Sequence, residues 1–192
     1  MTDPASFDLY LARHGATAWT LNGRHTGITD LPLTPDGEEE ARRLRPRLAA
    51  LGIRTAFVSD RQRARHTAEL AGFPDAIVTP LLREADYGDY EGLTSEQIHA
   101  TRAGWEIYHD GCPGGEAPEE LYRRCQEAIA LLQTRPGPAV FFSHGHFLRA
   151  LSTAWAEVAI TVATHLSLGT GTLCQLQDGD HGHVIEAWNL PA

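Results

Sequence analysis

His14 follows Arg13 and precedes Gly15, and His144 precedes Gly145, so two histidine–glycine pairs stand where short apolar runs stop. An unperturbed pKa of about 6.5 leaves much of an imidazole neutral at physiological pH, and one ring nitrogen can then attack phosphorus. The other nitrogen needs an acceptor, such as a backbone carbonyl, to fix the tautomer. Phosphoryl transfer without a metal also requires fixed cations around the equatorial oxygens and an acid for the leaving oxygen. Arginine grips phosphate in bidentate fashion better than lysine does, and all 16 cationic side chains here are arginines. Arg13 sits beside His14, and Arg61, Arg63 and Arg65 form a basic helical turn, two of whose members charge patterning assigns to solvent. His144 offers a further donor to the transferring group. The acid belongs to the segment 84–92, EADYGDYEG, where Glu84, Asp86, Asp89 and Glu91 are equivalent on chemistry alone. With no lysine, Schiff-base and P-loop mechanisms are excluded.

Short strands ending in loops must position these groups. Phe7 to Ala12, Thr55 to Ser59, Ala76 to Thr79 and Pro138 to Ser143 read as strands. Between them, Thr34 as N-cap and Pro35 at the first helical position start a helix that runs to about Leu51, with Ala41, Leu44 and Leu48 on one face. Arg61 to Ala71, Thr94 to Ala100, Glu116 to Gln133 and Phe147 to Ala156 also read as helices, and Gly111 to Gly115 as irregular. Alternating strands and helices predict an α/β sheet with parallel strands, whose carboxyl ends would bring Arg13, His14 and His144 together. Thr172 to Trp188 adds one or two edge strands around the turn Asp178-Gly179-Asp180.

The 192 residues, 42% of them hydrophobic, suit one domain, residues 1–192. A net charge of -9 argues against nucleic acid or an anionic membrane as partner. It leaves a small phosphate ester acceptable, because screening over about 8 Å lets the nearest charges rule a pocket. Homo-oligomerisation is left open. Cys112, Cys125 and Cys174 are odd in number and lack CxxC spacing, which reads as free thiols. His144-x-His146 and His181-x-His183 lack companion ligands at metal-site spacing, so no metal is expected; His146 reads as a support of the pocket, His181 and His183 as turn residues. No stretch approaches the roughly 20 apolar residues of a membrane span, and Met1-Thr2-Asp3-Pro4 lacks a signal-peptide layout, so a cytoplasmic location is expected.

Leu11-Ala12-Arg13-His14-Gly15, continuing ATAWTLNGRHTGITDLPLTPDGEEEA, resembles the opening of the histidine phosphatase superfamily, the phosphoglycerate-mutase-like proteins. SDRQRARHTAEL, LLREADYGDYEGLTSEQI, GCPGGEAPEEL and FFSHGHFLRAL then resemble further family blocks in the same order. The resemblance implies a three-layer α/β sandwich with a mostly parallel sheet flanked by helices, and no cofactor. It implies that His14 is the phosphorylated nucleophile, that Glu84 gives and takes the proton, and that Arg13, Arg63 and His144 complete the phosphate pocket. Arg63 is preferred to Arg61 and Arg65 because the family places its arginine directly before the alanine of RAxxTA. Thr20, His25, Thr26, Gly27, Ser59, Tyr87 and Arg149 become contacts to the rest of the substrate. Ala16 stands where the family commonly has Glu, and Thr20, which keeps a hydroxyl donor, where it has Asn. GRHTGITDLPLTPDGE, YGDYEGLT and DGCPGGE are similar to the sugar bisphosphatase branch. The implied activity is hydrolysis of small phosphate monoesters, sugar phosphates or bisphosphates, through a phosphohistidine. The alternatives are a phosphoglycerate mutase, argued against by the greater length of those enzymes, and an inactive phosphate-binding regulator.

Overall fold

The two apolar runs that end in histidine bury both of their faces, as strands of a parallel sheet covered on both sides must. Leu9, Leu11 and Phe141 enter one core and Tyr10, Ala12, Val140 and Phe142 the other. In the computed structural model, which describes residues 8–135, 137–180 and 182–191, these runs are β1 (Asp8–Arg13) and β4 (Ala139–Ser143). They pair in parallel with Arg13 opposite Ser143. β2 (Thr55–Val58) lies parallel on the other side of β4, with β3 (Ile77–Val78) outside it. β5 (Thr172–Gly179) and β6 (Gly182–Pro191) are antiparallel, giving a six-stranded mixed sheet in the order β3-β2-β4-β1-β5-β6.

One face is covered by α2 (Pro35–Ala50) and α3 (Gln62–Leu70), through Leu44, Leu48, Ala64 and Ala68. The other is covered by α6 (Pro118–Ala130) and α7 (Gly145–Trp155), through Leu121, Cys125, Phe147 and Leu151, with Ile98 of α4 (Ser95–Thr101) and Tyr108 of α5 (Ile107–Asp110). A short α1 (Ala18–Leu21) follows β1. The expected three-layer α/β arrangement is present. Thr34 caps α2 by accepting the Gly37 N–H at 3.1 Å, with Pro35 in the first turn, as its sequence predicts.

Several elements differ from the sequence expectation. β5 is an interior strand because it pairs with β1 as well as β6; of these two tail strands β6 alone is an edge, and the reversal falls after Gly179. α6 begins at Pro118 because Glu116 is held elsewhere, its N–H on Asp86 O and its carboxylate on Arg124. α7 begins two residues early, at Gly145, and α1 and α5 carried no sequence signal. His183 lies in β6, stacked on Trp155 with ring centroids 4.4 Å apart, and is not a turn residue. Phe7, His181 and the opening Met1 to Pro4 lie outside the described residues. Among the described residues no helix is long and apolar enough to cross a membrane, and no group of three or more metal-ligating side chains gathers. All three cysteines are free and buried.

One contact links the first helix layer to the strand end. A Cβ on Gly15 would lie 2.1 Å from Gly37 O, and one on Gly37 would lie 2.2 Å from Ala16 O. The first turn of α2 therefore packs backbone against backbone on the loop after His14. Gly37→Ala should lower stability by about 1–3 kcal/mol through overpacking, although Ala is the better helix former. A urea midpoint that rises, following propensity alone, would show that this loop moves aside freely.

Candidate active site

Three parallel strands stop side by side, and the residues just beyond them build the site. His14 N–H donates to Ser143 O at 3.0 Å, and Ser59 N–H to Phe142 O at 3.1 Å, which prolongs the ladder past the ends of β1 and β2. His14 is 3% exposed, and its Nδ1 lies 2.8 Å from Gly15 O. A carbonyl oxygen only accepts, so Nδ1 carries the hydrogen and Nε2 keeps its lone pair. Among the described residues Nε2 has no hydrogen-bond partner. Burial, then the charges of Arg63 and Arg13, hold the His14 pKa well below its ordinary value, so the ring is neutral. Gly15 N–H donates to Thr67 Oγ1 at 3.1 Å, whose hydroxyl donates to Arg63 O at 2.8 Å, tying the loop to α3.

Arg63 is fully buried and its donors are aimed at acceptors within the protein. Nε donates to His144 Nδ1 at 3.2 Å, NH1 to Thr29 O at 3.0 Å, and NH2 to Thr26 O at 2.9 Å and Gly27 O at 3.2 Å. Because His144 accepts at Nδ1, its neutral ring carries hydrogen on Nε2 and donates it to Ser59 Oγ at 2.8 Å. Burial and Arg63 hold the His144 pKa well below the usual value. The ring stands edge-on to His14, centroids 5.1 Å apart. Arg63 and His144 are not among the residues that line the cavity of His14, and the expected donor of His144 is engaged by Ser59. Ser59 itself is fully buried, which corrects its reading as a substrate contact to that of a residue orienting His144. Of the neighbouring arginines, Arg65 is exposed, whereas Arg61 is half-buried with an Nε that lacks a partner.

Glu84 is placed by backbone donors. Its carboxylate accepts N–H groups from Phe147 at 2.7 Å, Ala85 at 3.0 Å and His146 at 3.1 Å, two of them from the first turn of α7, where the helix dipole favours negative charge. Arg124, paired with Glu116, donates to the carbonyls of Leu81, Arg83 and Glu84 and staples this segment. Among the four acids of the segment, Glu84 lines the cavity of His14. Asp86 instead accepts the Gly88 N–H at 2.9 Å, Asp89 is exposed, and Glu91 accepts the N–H groups of Gly27 and Thr29, each at 2.9 Å.

The cavity, about 220 Å³, is lined by Arg13, His14, Thr20, His25, Thr26, Glu84, Tyr87 and Arg149, all named from the sequence. Arg13 reaches it by lying across Gly145, where a Cβ would stand 3.1 Å from its Cζ, and donates to Leu168 O, while its buried Nε has no partner. Arg149 is fixed on the carbonyls of Ala163 and Thr164. Thr20 lines the wall, but its hydroxyl donates to Thr17 O at 2.9 Å and accepts the Thr17 N–H in the cap of α1, so the donor expected from it is already used. Thr26 likewise donates to Arg24 O. Gly27 lines instead a neighbouring cavity of about 580 Å³, which shares Glu84. Arg24, Ser95, Leu168 and His146 also line the His14 cavity. Of these only His146 had a sequence signal, its proximity to His144.

Residues 9–191 match the histidine phosphatase superfamily (branch 1). The chain is 38% identical over 177 residues to an acid phosphatase of Mycobacterium tuberculosis, covering 89% of this chain and 87% of that one. It is 35% identical over 183 residues to sedoheptulose 1,7-bisphosphatase of Saccharomyces cerevisiae, covering 78% and 68%. A probable phosphoglycerate mutase of Enterobacter is 37% identical over 191 residues, covering 94% and 89%, so length does not separate this chain from proteins of that description. The solved structure of a Mycobacterium tuberculosis open reading frame superimposes with a TM-score of 0.93 at 34% identity, over 96% of this chain and 98% of that one.

Two measurements check the site as built. Thr67→Val leaves the buried Gly15 N–H without an acceptor and should cost about 1–3 kcal/mol in urea unfolding; a neutral result would mean that the loop finds another partner. His14, His144 and His146 all have pKa values depressed well below 6.5 by burial, so each binds a proton more readily when unfolded. Their contribution to stability is complete above about pH 6.5 and is lost as pH falls toward the folded pKa values, by up to about 1.4 kcal/mol per pH unit per group. Urea midpoints should therefore drop between pH 7.5 and 5.5 while these imidazole NMR signals stay neutral. Stability that rises on acidification would contradict the assignment.

Proposed function

The chain belongs to the histidine phosphatase superfamily, and on that premise we propose that it hydrolyses small phosphate monoesters through a phosphohistidine on His14. The observation that carries this reading is the tautomer: a buried, neutral His14 with Nδ1–H on Gly15 O and Nε2 free beside Arg13 and Glu84. The phosphoryl group enters against Arg13, and the Nε2 lone pair attacks phosphorus as the bond to the leaving oxygen breaks in line. Glu84, entering the reaction in its carboxylic-acid form, delivers that proton to the leaving alkoxide and becomes the carboxylate. Its carboxylate then takes a proton from the water that cleaves the P–N bond, which releases orthophosphate and returns neutral His14. The imidazolium-like charge that develops on His14 is met by Gly15 O. His144, oriented by Arg63 and edge-on to His14, reaches a phosphoryl oxygen by exchanging its bond to Ser59.

A carbohydrate phosphate or bisphosphate is the substrate class we favour, supported by the likeness to the yeast sedoheptulose 1,7-bisphosphatase. The likeness to probable mutases keeps one rival, in which the phosphoryl group returns to a neighbouring hydroxyl of the retained substrate. Orthophosphate release in EDTA from sugar bisphosphates, sugar monophosphates, phosphoglycerates and nucleotides tests both. Release should survive EDTA and fall at least ~1,000-fold in His14→Ala. Isomerised 3-phosphoglycerate without release would establish the mutase reading instead, and no turnover on any substrate would leave only ligand binding.

A further inference from the structure

His146 stands half-buried in the first turn of α7, in the wall shared by two cavities. One is the His14 cavity; the other, about 230 Å³, adds His99, Trp105, Glu106, Tyr108 and Thr164. The Nδ1 of His146 lies 2.7 Å from Tyr87 Oη. Tyr87 is 2% exposed, and among the described residues its hydroxyl has no other partner. Either tautomer leaves one donor without a protein acceptor, and the phenol is assigned as the donor to Nδ1 because its O–H would otherwise be stranded on a residue only 2% exposed, whereas His146 is half-buried and lines two cavities. Burial acts in the same direction on both groups, raising the Tyr87 pKa and lowering that of His146, so that the phenol stays protonated and the imidazole neutral.

A neutral ring that accepts at Nδ1 carries its hydrogen on Nε2. Among the described residues that N–H has no acceptor. The ring plane is held by His25, stacked at 5.6 Å and 24°, and by Tyr108 at 5.7 Å. The main-chain N–H of the same residue holds Glu84 Oε2 at 3.1 Å, so one residue carries the unpaired donor and anchors the proposed acid.

We propose that the Nε2–H of His146 selects the leaving alcohol, by donating to a hydroxyl or carboxylate oxygen near the scissile oxygen, with the rest of the alcohol lying in the second cavity. The ligand class is a polyhydroxylated or carboxylated alcohol, preferred over a simple aryl or alkyl phosphate. Rings from Trp105, Tyr108 and His25 and polar groups from Glu106 and Thr164 in that cavity suit a polyol with both C–H faces and hydroxyls. The assignment rests on the phosphatase reading above.

The test compares kcat/KM for fructose 1,6-bisphosphate and 3-phosphoglycerate with that for p-nitrophenyl phosphate, in the full chain and in three variants. His146→Leu should lower the ratio of either hydroxylated substrate to the aryl ester by about tenfold or more. His146→Gln, whose amide N–H reaches toward the position of Nε2, should recover much of that ratio. Tyr87→Phe should shift it in the same direction as His146→Leu, since the ring is then free to adopt the other tautomer. Proportional losses on all three substrates, or a Gln variant no better than Leu, would overturn the assignment and leave His146 a structural residue. A parent protein that turns over none of them, or a His14→Ala variant that still turns them over, would instead sink the phosphatase reading and this assignment with it.

Discussion

The hydrogen bond from His14 Nδ1 to Gly15 O sets which nitrogen can react, and much of the surrounding structure serves to keep that carbonyl in place. Gly15 is pinned from one side by the backbone of Gly37 and from another by Thr67, while Ala16 N–H is held by Glu40 Oε2 at 2.9 Å. A side chain at Gly15 or Gly37 would separate α2 from the loop and turn the carbonyl away. The two glycines that sequence reading treats as loop and helix-start residues are thus one contact, and it acts on the tautomer of a residue neither of them carries.

The electrostatic arrangement has a comparable economy. In a chain of net charge -9, the arginines around His14 are held by carbonyl oxygens: Arg63 by Thr26, Gly27 and Thr29, Arg149 by Ala163 and Thr164, Arg13 by Leu168. Carbonyls orient a guanidinium without cancelling its charge, so an entering anion meets cations that are fixed yet not neutralised. Two arginines outside this cluster meet carboxylates as well. Arg83 pairs with the Asp60 carboxylate, and Arg124 pairs with that of Glu116 while donating to the carbonyls of Leu81, Arg83 and Glu84. After burial, the charges of Arg63 and Arg13 hold the His14 and His144 pKa values down, so Arg13, which meets the phosphate in the proposed reaction, also helps to keep the nucleophile neutral.

What the sequence made legible follows the range of the interactions involved. The strand ends at Arg13 and Ser143 and the cap at Thr34 depend on neighbours within a few residues, and local pattern found them. The choice of Arg63 among three arginines, and of Glu84 among four acids, needed family resemblance, because burial against Thr26 to Thr29 and the N–H groups of α7 comes from distant segments. The interior position of β5 was hidden for the same reason, since alternation within the tail says nothing about a partner more than 150 residues earlier in the chain. Hydroxyls were the weakest point. Thr20, Thr26 and Ser59 are at or beside the site, yet local caps and His144 take up hydroxyl groups that residue type alone offers to a ligand.

The central claim is that Nε2 of His14 forms the bond to phosphorus. It is tested most directly by labelling the histidines with nitrogen-15, trapping the phosphoenzyme by rapid denaturation in base, and reading phosphorus–nitrogen coupling by NMR. The account predicts a single phosphohistidine, at His14, linked through Nε2. Phosphate on Nδ1 of His14, or on any other histidine, would contradict it.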